Sequence, residues 1–336
     1  MSMAAMRLPP NPESWILNPR LRKDADLSRT NWFRVGGKAE YLFKPESAED
    51  LSAFLKLLPA EIPVTVLGVG SNVIIRDGGI DGVVVRLGRG FTSIFTSPLR
   101  GEVAERSDAG GGEPANNPAP SLILPPQGGG SYIIAGAGAL DIHVAAIARD
   151  NGLSGLEFLS GIPGTIGGAV RMNAGAYGSD ISQILVKAEI VERNGKTHML
   201  NNKELCFTYR HSSFPEGAIV TKAVFKAQPG NKEAITRKMQ DIAASREATQ
   251  PIRTRTGGST FKNPPGHKAW ELIEQSGCRG LVTGGAQVSE KHCNFFINTG
   301  SATAADLENL GGEVIRRVKE KTSVTLEWEI KRIGNV

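Results

Sequence analysis

The chain is poor in the groups that most often announce a function. Its three cysteines, Cys206, Cys278 and Cys293, are odd in number and form no C-x-x-C pair, which excludes a disulfide framework and a cysteine zinc site. A reducing compartment fits such cysteine usage. The five histidines include no pair at i, i+4, so no metal site is expected. Aromatic residues make up only 6%, and the basic residues are scattered along the chain, so a net charge of +5 does not describe a nucleic-acid surface. It suits small anionic ligands such as nucleotide diphosphates. No apolar run approaches the roughly 20 residues of a membrane span, and the opening "MSMAAMRLPPNPESWILNPRLRKD" lacks the apolar core of a signal peptide. A cytoplasmic protein without membrane insertion is the expectation. No G-x-S-x-G elbow is present either, which disfavours hydrolase chemistry.

What is present is a globular composition, 40% hydrophobic, over 336 residues, enough for two or three domains. "PESAEDLSAFLKLLP" reads as a helix, with Ser47 and Asp50 at capping-box spacing and Leu51, Phe54, Leu55 and Leu58 on one stripe. "VTVLGVGSNVIIRDGGIDGVVVRLG" reads as buried strands joined by tight turns, and "SYIIAGAGALDIHVAAIARDNGLSG" as strand, turn and helix with Asp141 as N-cap and Gly152 as stop. Asn194-Gly195 signals a hairpin. Two helices follow, "KEAITRKMQDIAASREA" and one opened by Thr303 and Asp306 at capping spacing. The alternation in "VTLEWEIKRIG" reads as a half-buried strand with Glu327 and Glu329 on one face, which periodicity alone does not separate. Residues 101 to 130, with twelve Gly or Pro among thirty, read as a disordered insertion without a catalytic role.

Glycine clusters carry the chemical signal. "GVGSNV" lacks the third glycine of a dinucleotide-binding Rossmann turn and runs into further β-rich sequence, so that reading fails. Gly161, Gly164, Gly167, Gly168, Gly175 and Gly178 fall within eighteen residues, enough for backbone amides to approach a pyrophosphate without a Rossmann helix. "TGGSTFKNPPG" sets Ser259 in a shaped loop that glycines admit and prolines keep out of a helix. A solvated surface turn is the plain alternative, and so is a sheet-edge role for Arg210 in "FTYRHSSFP".

Taken in order, "TNWFRVGGKAEYL", "VLGVGSNVIIRDGGIDGVVVRL", "AGAGAL", "GLEFLSGIPGTIGGAVRMNAGAYG", "YRHSSF", "GGSTFKNP", "LIEQSGCRGLVTGGAQVSEKHCNFFIN" and "LEWEIKRIG" resemble the UDP-N-acetylenolpyruvoylglucosamine reductase family over nearly the whole chain. The resemblance implies an α+β fold: an FAD-binding unit of the vanillyl-alcohol-oxidase (PCMH) type in two lobes over 23–228, rejoined by the final strand in 322–336. A substrate-binding domain over 229–321 and an N-terminal extension over 1–22 complete it. It implies tightly bound FAD, NADPH as hydride donor, and reduction of UDP-N-acetylglucosamine enolpyruvate to UDP-N-acetylmuramate for peptidoglycan. Gly68, Gly70, Ser71 and Asn72, with Gly161, Ile162, Pro163, Gly164, Thr165, Gly167 and Gly168, would cradle the flavin, joined by Arg34, Gly136 and Gly138. Ser259 matches the family's proton donor, and Arg210 and Glu329 its stabilisers of the enolate-like species; Tyr177, Lys262 and Asn263 would contact substrate. "YRHSSFPEGAIVTKAVF" is too short for the tyrosine-bearing loop of some members, which implies the shorter-loop subtype (type II). A monomer is expected, with no metal and no nucleic-acid partner. An FAD oxidase of the same fold, acting on a sugar or lactone, and a basic nucleotide-binding protein without catalysis are the competing readings.

Overall fold

A computed structural model of the chain describes residues 14–97 and 131–336. The insertion expected at 101–130 and most of the N-terminal extension lie outside these residues. The first sheet is mixed, in the order Leu21–Asp26, Lys38–Phe43, Ile80–Arg86, Val64–Leu67, with its last three strands parallel. One of its faces is covered by the helix Ala48–Leu57, which Ser47 caps by accepting the Asp50 N–H; the expected stripe of Leu51, Phe54, Leu55 and Leu58 is buried there with Phe43 and Val85. The other face buries Leu42, Leu67 and Val84 with Ile75.

A second, antiparallel sheet runs Thr197–Asn201, Leu185–Val191, Ile219–Pro229, Ser131–Gly136, Ile94–Thr96. Its first two strands are the hairpin expected at Asn194-Gly195, where Gly195 takes φ +78°. Helices Asp141–Asp150 and Ile166–Arg171 pack on this sheet with Ile133, Phe225 and Leu159. Helix Lys232–Thr249 lies beside the turn Glu157–Gly161, burying Ile235 and Ile242.

The third sheet, Arg255–Thr256, Phe296–Asn298, Ala286–Val288, Val282–Thr283, is antiparallel and packs with helices Ala269–Gln275 and Ala304–Thr322. The second of these opens with the expected Thr303/Asp306 capping box, complete in both directions. Its core also takes in Phe33, Val35 and Ile74 from the first part of the chain. Polar ties reinforce that junction: the Asp77 carboxylate accepts the N–H groups of Ala304 and Ala305, and Arg76 pairs with Glu308 at 2.8 Å.

Two local expectations need correction. Asp141 is not the N-cap of its helix; Leu140 is, and the Asp141 side chain turns inward. The segment "VTLEWEI" is not a continuous half-buried strand. It makes one antiparallel bridge, Trp328 to Phe261, and regular pairing begins only at Lys331–Ile333, parallel to Val73–Ile75. A chain crossing between two domains has partners on different sides at successive residues, so strict alternation does not survive. Among the described residues, no helix is long and apolar enough to cross a membrane.

Candidate active site

Three segments distant in sequence converge. The loop 68–72 has its carbonyls committed to neighbours: Gly70 O accepts Trp32 N–H at 3.0 Å, Ser71 O accepts Gly258 N–H at 3.2 Å, and Asn72 O accepts Lys331 N–H at 3.1 Å. The loop therefore bonds directly to the Ser259 loop and to the final strand. Asn72 also donates through Nδ2 to the carbonyl of Glu329 at 3.4 Å. Gly70 has φ +70°, and a Cβ there would lie 2.5 Å from Asn31 Cα, so only glycine lets the turn Thr30–Arg34 nest against the loop.

The second glycine run faces the first. A Cβ on Gly68 would fall 2.6 Å from Thr165 Oγ1, and one on Gly164 2.8 Å from Asp141 Oδ2 with Ser71 Oγ at 3.8 Å. Two backbones brought this close offer the unobstructed amide surface a diphosphate needs. Asp141 is fully buried with neither carboxyl oxygen hydrogen-bonded, and burial pushes its pKa well above the ordinary carboxyl value. Burial thus disfavours negative charge at this point, and with the glycine backbones this close the residues present fit the diphosphate of FAD.

Other predicted flavin residues are placed less directly. Gly136 and Gly138 back onto the backbone of Phe91, and Gly167 onto Ala137, so these glycines serve close packing within the second lobe. Gly168 has open space beside it apart from Thr165 Oγ1 at 3.8 Å. Ile162 and Pro163 are half-buried in the same turn, and Arg34 is exposed at φ +60° in the turn that nests on Gly70. Tyr177, also at positive φ, lays its ring over Gly161 and donates its hydroxyl to Ile242 O at 3.4 Å.

Arg210 and Glu329, 119 residues apart, form an ion pair, Nε to Oε1 2.9 Å, with side chains 20% and 11% exposed. Arg210 takes φ +56° and also donates through Nη2 to Gly175 O, which fixes its guanidinium from two sides. Burial pushes the Glu329 carboxyl up, an effect Arg210 and then Lys262 offset in part. Glu327, by contrast, is 74% exposed and pairs with Lys262 at 3.3 Å. The two carboxylates expected on one face are thus set apart, Glu329 inward and Glu327 toward solvent.

Ser259 sits half-buried between these groups. On one side Gly258 bonds to Ser71; on the other, Thr260 O accepts the Glu329 N–H at 2.8 Å and Lys262 N–H reaches Glu327 O at 2.8 Å. Asn263 is exposed; its Oδ1 accepts Ala269 N–H at 2.9 Å, and its amide nitrogen has no hydrogen-bond partner among the described residues. Sequence reasoning missed Asn294, which holds the loop after Ser259: its carbonyl accepts Thr260 N–H, and its side chain accepts Phe261 N–H and donates to Phe261 O. A buried asparagine inside an apolar run was its only signal. Among the described residues no group of three or more His, Cys, Asp or Glu could hold a metal ion.

Comparison with known proteins agrees with this geometry. The family model described as UDP-N-acetylenolpyruvoylglucosamine reductase, C-terminal domain, matches residues 250–333, and an FAD binding domain matches residues 39–107 and 126–201. UDP-N-acetylenolpyruvoylglucosamine reductases from Parvibaculum lavamentivorans and Azorhizobium caulinodans are 53% and 52% identical, covering 93% and 95% of this chain and 90% and 93% of their own. The crystal structure of UDP-N-acetylenolpyruvylglucosamine reductase from Thermus caldophilus superposes with a TM-score of 0.73 at 34% identity, over 94% of this chain and 100% of that one. The fold is the α+β arrangement with a vanillyl-alcohol-oxidase-type FAD-binding unit that the motifs implied. With an inward Arg210–Glu329 pair beside Ser259 and likeness along almost its whole length, the chain belongs to the UDP-N-acetylenolpyruvoylglucosamine reductase family.

Proposed function

We propose that the protein reduces UDP-N-acetylglucosamine enolpyruvate to UDP-N-acetylmuramate with NADPH, as a cytoplasmic monomer supplying cell-wall precursors. The observation that carries the reading is the Arg210–Glu329 ion pair at 2.9 Å, beside a serine loop hydrogen-bonded to the loop 68–72. The FAD-binding unit is 23–228 with 322–336, and the substrate-binding domain is 229–321. The loops 68–72 and 161–168 hold the diphosphate, with Arg34, Gly136 and Gly138 shaping the same site.

FAD, held by the loops 68–72 and 161–168, would supply the hydride chemistry that links NADPH to the β-carbon of the enolpyruvyl group. The protein must then manage negative charge arriving at the α-carbon and carboxylate. A guanidinium cannot be deprotonated, so Arg210 keeps its charge there throughout. Glu329 and Gly175 hold Arg210 through Nε and Nη2, leaving Nη1 for the substrate. Ser259 gives its hydroxyl proton to the α-carbon, which completes the product without a second acid. Tyr177, Lys262 and Asn263 contact the substrate. Only eight residues, 211–218, separate Arg210 from the strand Ile219–Pro229, which suits the shorter-loop subtype.

The test is direct. The purified protein should show a flavin absorption band near one FAD per chain, and NADPH oxidation should depend on the enolpyruvyl nucleotide. A colourless protein, or oxidation with a sugar or lactone and oxygen instead, refutes the proposal.

A further inference from the structure

Helix Ala304–Thr322 carries two adjacent glycines in its interior, Gly311 and Gly312, where glycine is the poorest ordinary helix former. Their surroundings differ. A Cβ on Gly312 would meet nothing within 4 Å, whereas one on Gly311 would fall inside the van der Waals envelope of Trp328 at Cζ2 and Cη2. Gly311 is buried, and its missing side chain is a notch that receives the indole. The half-buried ring also packs against Phe261 at 5.1 Å, Phe296 at 6.4 Å and the Arg332 guanidinium at 4.7 Å.

The seat is tied through the backbone to the loop that carries Ser259 and to Glu329. Trp328 bridges Phe261 through its backbone, so the same residue sets the register between the serine strand and the final segment. Lys262 N–H to Glu327 O on one side, and Glu329 N–H to Thr260 O on the other, extend that register to both neighbours of Trp328. We propose that Gly311 and Trp328 are positioning residues: the depth of the indole in the notch sets where Glu329 stands relative to Ser259. The inference rests on the reading that Ser259 and Glu329 act on the enolpyruvyl group.

The substitution Gly311→Ala drives the indole outward by on the order of 1 Å or more, since carbon atoms pack at about 3.5–4.0 Å. Misplacement of that size costs up to about 10²-fold in rate, so a loss of about 10- to 100-fold is expected in reoxidation of the NADPH-reduced protein by the enolpyruvyl nucleotide. FAD content and the rate of flavin reduction by NADPH should stay within about 2-fold of the parent, because neither needs the Ser259–Glu329 geometry. Gly312→Ala, the same change one residue along into open space, should leave both half-reactions unchanged. The double variant Gly311→Ala/Trp328→Phe, whose smaller ring makes room for the methyl, should recover part of the loss, a non-additive cycle. Equal slowing of both half-reactions by Gly311→Ala, or an unchanged reoxidation rate, overturns the proposal. Should Gly311→Ala fail to fold, Trp328→Phe alone decides: slowed reoxidation with normal flavin reduction supports the seat, and normal reoxidation refutes it. Ser259→Ala, run alongside, separates the two levels. If it leaves reoxidation intact, the underlying catalytic reading has failed; if it abolishes reoxidation while the Gly311 and Trp328 variants are normal, only the positioning role has.

Discussion

Glu329→Gln keeps the shape of the side chain and removes a negative charge 2.9 Å from Arg210 Nε. Both partners are sheltered, at 20% and 11% exposure, so the arginine is left with little water to replace its counter-ion. Removing one member of a buried pair costs about 3–5 kcal/mol, and the residual exposure of Arg210 points to the lower end. If about 3 kcal/mol of that is lost from the transition state, reoxidation by the enolpyruvyl nucleotide slows by on the order of 10²-fold, at 1.36 kcal/mol per decade. Glu327→Gln is the internal control. Its carboxylate is 74% exposed and pairs with a partly exposed Lys262, an interaction worth at most about 1 kcal/mol, so the rate should change by less than about 5-fold. Stopped-flow absorbance of the flavin, after reduction with one equivalent of NADPH, reads the step directly. A Glu329→Gln variant that reoxidises at the parental rate, or a Glu327→Gln variant slowed as much, would mean that the inward carboxylate is not the one that matters.

Ser259→Ala should leave FAD binding and flavin bleaching by NADPH nearly intact while slowing reoxidation at least about 10²-fold, and Ser259→Cys should recover part of it. Equal slowing of both half-reactions would make the serine a loop-shaping residue only. Asp141 has a folded-state pKa raised by burial. Its contribution to stability is therefore fully present below the unfolded carboxyl value of about 3.9 and is lost as pH rises through the folded value. The midpoint of thermal unfolding should fall with rising pH more steeply in the parent than in Asp141→Asn, and parallel curves would refute the assignment.

Much of this was legible in the sequence because the relevant signals are local. Ser47 and Thr303 announce helix starts through a side chain three residues from its donor, and Asn194-Gly195 fixes a hairpin through its own φ preference. Gly68 and Gly164 are brought close to Thr165 and Asp141, a proximity that glycine permits. What escaped is what only tertiary contact decides. An aspartate in the first turn of a helix reads as a cap, and nothing near Asp141 in sequence tells that its carboxyl turns inward toward Gly164. Glu327 and Glu329 are separated by Arg210 and Lys262, residues 119 and 65 positions away. The notch at Gly311 is defined by the indole of Trp328, which nothing in the sequence places beside it.

The parallel pairing of Lys331–Ile333 with Val73–Ile75 has a consequence for the birth of the molecule. Domains fold largely in order of synthesis, N-terminal part first, and contacts between distant residues are the slow ones to form. The first lobe can be assembled early, yet the edge at Val73–Ile75 waits for residues 331–333, and Glu329 arrives just before them. A nascent chain that has not reached residue 329 therefore lacks both the carboxylate that pairs with Arg210 and the strand to which the loop 68–72 bonds.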